Sequence, residues 1–105
     1  MIRLTTLRAT GNAPADIPPT AGIDAMNEFV AAVSKVPGAG SVRWYIGNGG
    51  FVVIGEPDSY AVADRILTDP AVQVAGAKVF GLGLNIAEDI YLLEAQKVMP
   101  FLPQQ

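Results

Sequence analysis

Residues 41–56, Ser-Val-Arg-Trp-Tyr-Ile-Gly-Asn-Gly-Gly-Phe-Val-Val-Ile-Gly-Glu, decide the fold. Two runs rich in β-branched and aromatic residues, Ser41 to Gly47 and Phe51 to Glu56, flank Asn48-Gly49-Gly50, whose freedom in φ suits a tight reversal. The stretch therefore predicts an antiparallel hairpin. Period-two alternation puts Ser41, Arg43 and Tyr45 on one face of the first run and Val42, Trp44 and Ile46 on the other.

Upstream of the hairpin, Ile23, Met26, Val30 and Val33 recur at helical spacing, predicting a helix over 22–36 that Pro37-Gly38 stops. Before it lies a loop, residues 11–22, in which Pro14, Pro18 and Pro19 leave no room for regular structure. Residues 2–9 alternate Ile2, Leu4 and Thr6 with Arg3, Thr5 and Leu7, which reads as a strand. Downstream, Asp58 or Ser59 can cap a helix that runs to about Leu67, and Asp69-Pro70 restarts it, Asp as cap and Pro as first helical residue. Residues 71–80 carry only Gln73 and Lys78 as polar positions, so this helix needs cover on more than one side. Gly81 and Gly83 end it. A last strand is expected from Ile86 to Glu94, with Ile90, Leu92 and Leu93 seeking the core, followed by an apolar, proline-bounded arm, residues 97–105. The whole reads as a single α+β domain, 1–105.

Its order is β-α-β-β-α-β, the split βαβ arrangement of ferredoxin-like domains with an antiparallel sheet. On that order, on the element lengths and on the Phe51-to-Glu56 strand followed by a helix, the chain resembles the dimeric α/β-barrel superfamily. The resemblance covers nearly the whole chain and rests on no diagnostic motif. It implies a homodimer whose two sheets face each other around a pocket for small, often aromatic or polyketide-like molecules. It also implies activities that include cofactor-independent monooxygenation, isomerisation, haem handling and ligand sensing.

Composition narrows these. Half of the 105 residues are hydrophobic and 16% are charged, against an ordinary share of about a quarter, so some apolar surface is expected to meet another subunit. Seven basic against ten acidic residues give a net charge of −3, with no basic run, which argues against nucleic acid as a partner. There is no histidine and no cysteine. Imidazole-ligated haem, thiolate metal sites, disulfides and Cys or His catalysis are thereby excluded. No apolar stretch approaches the ~18 residues of a membrane span, so no membrane partner and a cytoplasmic location are the expectation.

Without His or Cys, acid–base work falls to Asp, Glu, Tyr and Lys, and polarisation of a substrate oxygen to Arg, Tyr, Asn or backbone N–H. Arg43 and Tyr45 share a strand face on which they could polarise an oxygen, the arginine clamping a carboxylate or enolate. Asp89 and Tyr91 share a face of the last strand. In an apolar cavity Asp89 would have a raised pKa and could take a proton beside a carbonyl. Arg3 and Thr5 share a face of the first strand and complete the substrate-binding set with Tyr91. The alternative is structural: Asp89 paired with Arg3 or Arg43, and Tyr45 merely packed.

Glu56 and Asp58 make a poor metal site without a histidine and suit turn and capping roles, so no metal is expected. Gly47-Asn48-Gly49-Gly50 precedes a strand and Gly81-Leu82-Gly83 follows a helix, so neither cradles phosphate, and no cofactor is expected. Lys78 reads as a snorkelling surface lysine before a Schiff-base amine. Two functions follow: a small cofactor-independent enzyme, isomerase or monooxygenase, taking an aromatic or polyketide-like carbonyl compound in a dimer cavity closed by loop 11–22, or a non-catalytic ligand-binding or assembly module.

Overall fold

The computed structural model describes residues 1–9, 20–47 and 49–93. Their order is β1 (Ile2–Ala9), α1 (Ala21–Ser34), β2 (Val42–Gly47), β3 (Gly50–Gly55), α2 (Tyr60–Thr68), α3 (Pro70–Gly81) and β4 (Leu84–Leu92). The four strands form one antiparallel sheet in the order β2-β3-β1-β4, with the helices on one face, which is the expected ferredoxin-like α+β fold with its second helix broken in two. No described helix is long and apolar enough to cross a membrane.

Local chemistry explains the boundaries. Gly47 pairs with Gly50, so the hairpin turns through two residues, with Gly49 at φ 85°. Ser59 Oγ accepts from Val62 N at 3.3 Å and opens α2. Asp69 both ends α2 and starts α3, its Oδ1 accepting from Val72 N at 3.1 Å ahead of Pro70 in the first turn. The chain leaves α1 through Gly38, at φ 86°, and turns again at Gly40, at φ 66°, with the buried Ala39 between them, before it reaches β2.

Several sequence expectations shift. The helix α1 takes in Ala21 and Gly22 from the expected loop 11–22 and ends at Ser34, two residues early. The strand β4 begins at Leu84, ahead of the expected Ile86, and Leu93 lies beyond it. The rest of the loop up to residue 19 and the arm 97–105 lie outside the described residues.

The core has two parts. Leu7, Val53 and Leu84 of the sheet meet Ala25 and Met26 of α1 and Val79 of α3. Val33, Val36 and Ala39 meet Val62, Ile66 and Val72 of α2 and α3. Trp44 packs at the edge of the first cluster, edge-on to Phe51 with ring centres 5.4 Å apart, and its Nε1 donates to Asn27 Oδ1 at 2.9 Å. Lys78 Nζ reaches Glu28 Oε2 at 2.9 Å between α3 and α1, with both side chains more than half exposed, so the pair adds little stability.

The strand register sorts the sheet residues into two faces. Trp44, Val53, Thr5 and Asp89 stand in one cross-strand row, and Val42, Gly55, Arg3 and Tyr91 in the next, all on the helix side. Tyr45, Val52, Thr6 and Glu88, then Arg43, Ile54, Leu4 and Ile90, form rows on the open side. A register shift in β4 pairs Ile86 with Leu7 and Glu88 with Thr6, leaving Ala87 as an extra residue. This bulge keeps Ile86 facing the helices while also turning Asp89 and Tyr91 that way. Ile90 and Leu92, expected to seek the core, therefore face outward and are 43% and 42% exposed.

Candidate functional site

Between the two core clusters lies a cavity of about 370 Å³, within the range of about 300–1,000 Å³ that small-molecule sites occupy. Its sheet wall is Arg3, Thr5, Leu7 and Val53, with Ile86 from β4; its helix wall includes Phe29 of α1, Ile66 of α2, and Val72, Gly76 and Phe80 of α3. Only Arg3, Thr5 and Gln73 among the lining residues have polar side chains. Leu and Val are available to fill this volume from three helices, yet Gly76 opens it. A Cβ placed there would meet nothing nearer than Phe29 at 3.7 Å.

The polar corner is built by β1 and β4. Arg3 Nε donates to Asp89 Oδ1 at 2.9 Å and Arg3 Nη2 to Asp89 Oδ2 at 2.7 Å, the two-point geometry that guanidinium and carboxylate share. Thr5 Oγ1 adds a third bond to Asp89 Oδ1 at 2.9 Å. Tyr91 lies beneath the guanidinium, with Arg3 Cζ 5.5 Å from its ring centre, and Tyr60 of α2 stacks edge-on against Tyr91 at 5.0 Å. The Arg3 side chain is 14% exposed and that of Asp89 29%.

These contacts reverse the expected electrostatics of Asp89. The hydrogen bonds from Arg3 hold its carboxyl below the ordinary carboxylate range, aided by Thr5 and the guanidinium charge and opposed by burial. The same bond raises Arg3 further, again against burial. A carboxylate so engaged is stabilised in its charged form and has both oxygens occupied. The raised pKa expected of Asp89 in an apolar cavity does not occur, because the partner arginine stands on the neighbouring strand.

The expected trio is likewise not assembled. Asp89 faces the helices, whereas Arg43 and Tyr45 lie on the open side of the sheet, Tyr45 47% exposed. The residues that do converge are Arg3, Thr5, Asp89 and Tyr91. Sequence alternation marked Arg3 and Thr5 as a pair and Asp89 and Tyr91 as another, and of the partners weighed for Asp89, Arg3 is the one that the structure brings to it. Gln73 was visible as one of two polar residues in an apolar helix. Its Nε2 donates to Leu67 O at 3.2 Å, which leaves Oε1 as an acceptor on the cavity wall. Glu56 and Asp58 hold no metal-like grouping, and no cluster of three or more acidic residues exists among the described residues.

No protein-family model matches the sequence, and no curated protein is similar to it in sequence. Solved structures are similar in fold. SnoaB, a cofactor-independent oxygenase from Streptomyces nogalater, superposes with a TM-score of 0.69 at 10% identity, over 90% of this chain and 94% of its own. A dimeric ferredoxin-like protein of unknown function from Jannaschia sp. gives 0.66 at 12% identity, over 88% and 100%. An antibiotic biosynthesis monooxygenase gives 0.64 at 14% identity, over 90% and 100%. Identities this low carry the fold and nothing finer: the chain shares the ferredoxin-like fold of these proteins.

Proposed function

We propose that this protein is a small monooxygenase-type enzyme that takes an aromatic or polyketide-like carbonyl compound into the cavity between its sheet and its helices. The observation that carries the reading is the composition of that cavity: apolar walls broken by a single charged side chain, Arg3, fixed in place by Asp89 and Thr5. Apolar walls bind a flat hydrocarbon body, and one oriented donor aligns its oxygen. The site is then inside each protomer instead of between two sheets.

The state of Asp89 favours oxygenation over isomerisation. An isomerase needs a base that takes up and returns a proton, and Asp89 is held in its charged, doubly bonded form. Oxygenation of an enolisable aromatic ketone begins with the same loss of a proton, but that proton passes to solvent water and is not returned, so no residue need hold it. A ring methylene flanked by aromatic rings is converted to a carbonyl, one atom of dioxygen enters the product, the other leaves as water, and the substrate supplies all the electrons. Arg3 would donate a hydrogen bond to the substrate oxygen and hold the ketone in place as it enolises.

The open face of the sheet supports a homodimer. Ile2, Leu4, Val52, Ile54, Ile90 and Leu92 share it, and no described element covers them. Arg43, Tyr45 and Glu88 would then belong to the subunit contact.

Dioxygen uptake with anthrone, an enolisable tricyclic ketone, tests the reading. The wild type is expected to accelerate uptake over the protein-free rate, and Arg3→Met to lose about tenfold or more of that acceleration, about 1.4 kcal/mol or more. Binding of anthrone without uptake would favour a carrier or sensor that uses the same cavity, and absence of both would refute the assignment.

A further inference from the structure

Arg3 lines the cavity, yet its charge does not stand there alone. Asp89 takes Nε and Nη2 at 2.9 and 2.7 Å, so a full negative charge sits against the guanidinium on the side away from the cavity wall. Thr5 fixes that carboxylate and Tyr91 backs the guanidinium plane. What remains is Nη1, whose two N–H groups have no protein partner among the described residues.

We propose that this neutralised pair makes the cavity select neutral carbonyl compounds and reject carboxylates, with Asp89 as the specificity-determining residue. The inference rests on the cavity being the ligand site, as proposed above. An anion entering apolar walls gives up its hydration, and only an uncompensated positive charge offsets that loss. Here the attraction of Arg3 is offset by the repulsion of Asp89. A ketone oxygen needs only a donor, and Nη1 supplies one. A hydrocarbon of the same shape leaves Nη1 dry and unpaired, so it binds less well than the ketone.

Calorimetric titration of the full chain with 2-acetonaphthone, 2-ethylnaphthalene and 2-naphthoate reads this directly. The wild type is expected to bind the ketone about tenfold or more tighter than the carboxylate, with the hydrocarbon between them. Asp89→Asn keeps the shape and one acceptor for Arg3 while removing the charge. In it the ketone-to-carboxylate ratio is expected to fall about tenfold or more, with naphthoate itself binding more tightly. A purely structural role for Asp89 would weaken all three ligands together. Equal or better binding of naphthoate by the wild type overturns the proposal, as does an unchanged ratio in folded Asp89→Asn. Should that variant not fold, Arg3→Met provides the second test, since its ketone advantage over the hydrocarbon is expected to vanish and persistence of the advantage would overturn the proposal. Failure of all three ligands to bind the wild type removes the cavity assignment as well, whereas anthrone turnover without charge preference overturns this inference alone.

Discussion

A lysine at position 4 puts the open sheet face to the test. Leu4 sits in the central cross-strand row of that face, between Ile54 and Ile90, with Arg43 at the end of the same row. Its neighbours already cover it in part, so association would bury only the remainder of the ~1.5–3 kcal/mol a fully buried leucine contributes, about 1 kcal/mol per copy. In a two-fold pair the loss occurs twice, giving about 2 kcal/mol. An ammonium forced against Ile54, Ile90 and Arg43 adds a desolvation and repulsion cost at least as large. Leu4→Lys is therefore expected to weaken self-association by about 4 kcal/mol, roughly a thousandfold in Kd. Sedimentation equilibrium over a dilution series reads the change, with circular dichroism confirming that the variant is folded. A folded Leu4→Lys protein that associates as tightly as the wild type would refute the assignment of this face, as would a wild type that stays monomeric throughout.

Two other outcomes follow from the cavity. Because the folded-state pKa of Asp89 is depressed, its contribution to stability is complete above the unfolded value of about 3.9 and is lost as pH falls through the lower folded value. The wild type is expected to exceed Asp89→Asn by about 1–3 kcal/mol in urea unfolding at neutral pH, and the gap to close only in that acid window; a gap independent of pH would contradict the ion-pair assignment. Gly76→Ala places a methyl in ordinary contact with Phe29 inside the cavity and removes a helix-interior glycine. It is expected to raise stability by up to about 1 kcal/mol, a few degrees in Tm, while weakening 2-acetonaphthone binding, and calorimetric scanning with titration separates the two effects.

How far the sequence carried this reading depends on the element. The hairpin, the Asp69-Pro70 restart and the span of β1 were legible because turn and cap chemistry is local. Strand faces were not. In β1, Ile2 and Leu4 look like the core side by hydrophobicity, yet Arg3 and Thr5 turn inward because Leu7, on their parity, meets Met26 and Val53 in the core. In β4, alternation read across Ala87 fails, since the extra residue puts Ile86 and Asp89 on one side. The pairing of Arg3 with Asp89 joins residues 86 positions apart and depends on both facts. Arg43 and Tyr45 were correctly read as sharing a face, but nothing local says which face the helices cover when both are apolar.

The extra residue at Ala87 has an evolutionary corollary. Excising that one codon would restore simple alternation and exchange what the outer half of β4 shows to each side. The carboxylate and phenol would point away from the helices, and two greasy side chains would take their place beside Arg3. A single in-frame deletion could thus strip the site of its anchor and the subunit contact of its adhesive in one step. The count of residues at this point of β4 therefore fixes which side chains flank Arg3 and which face outward.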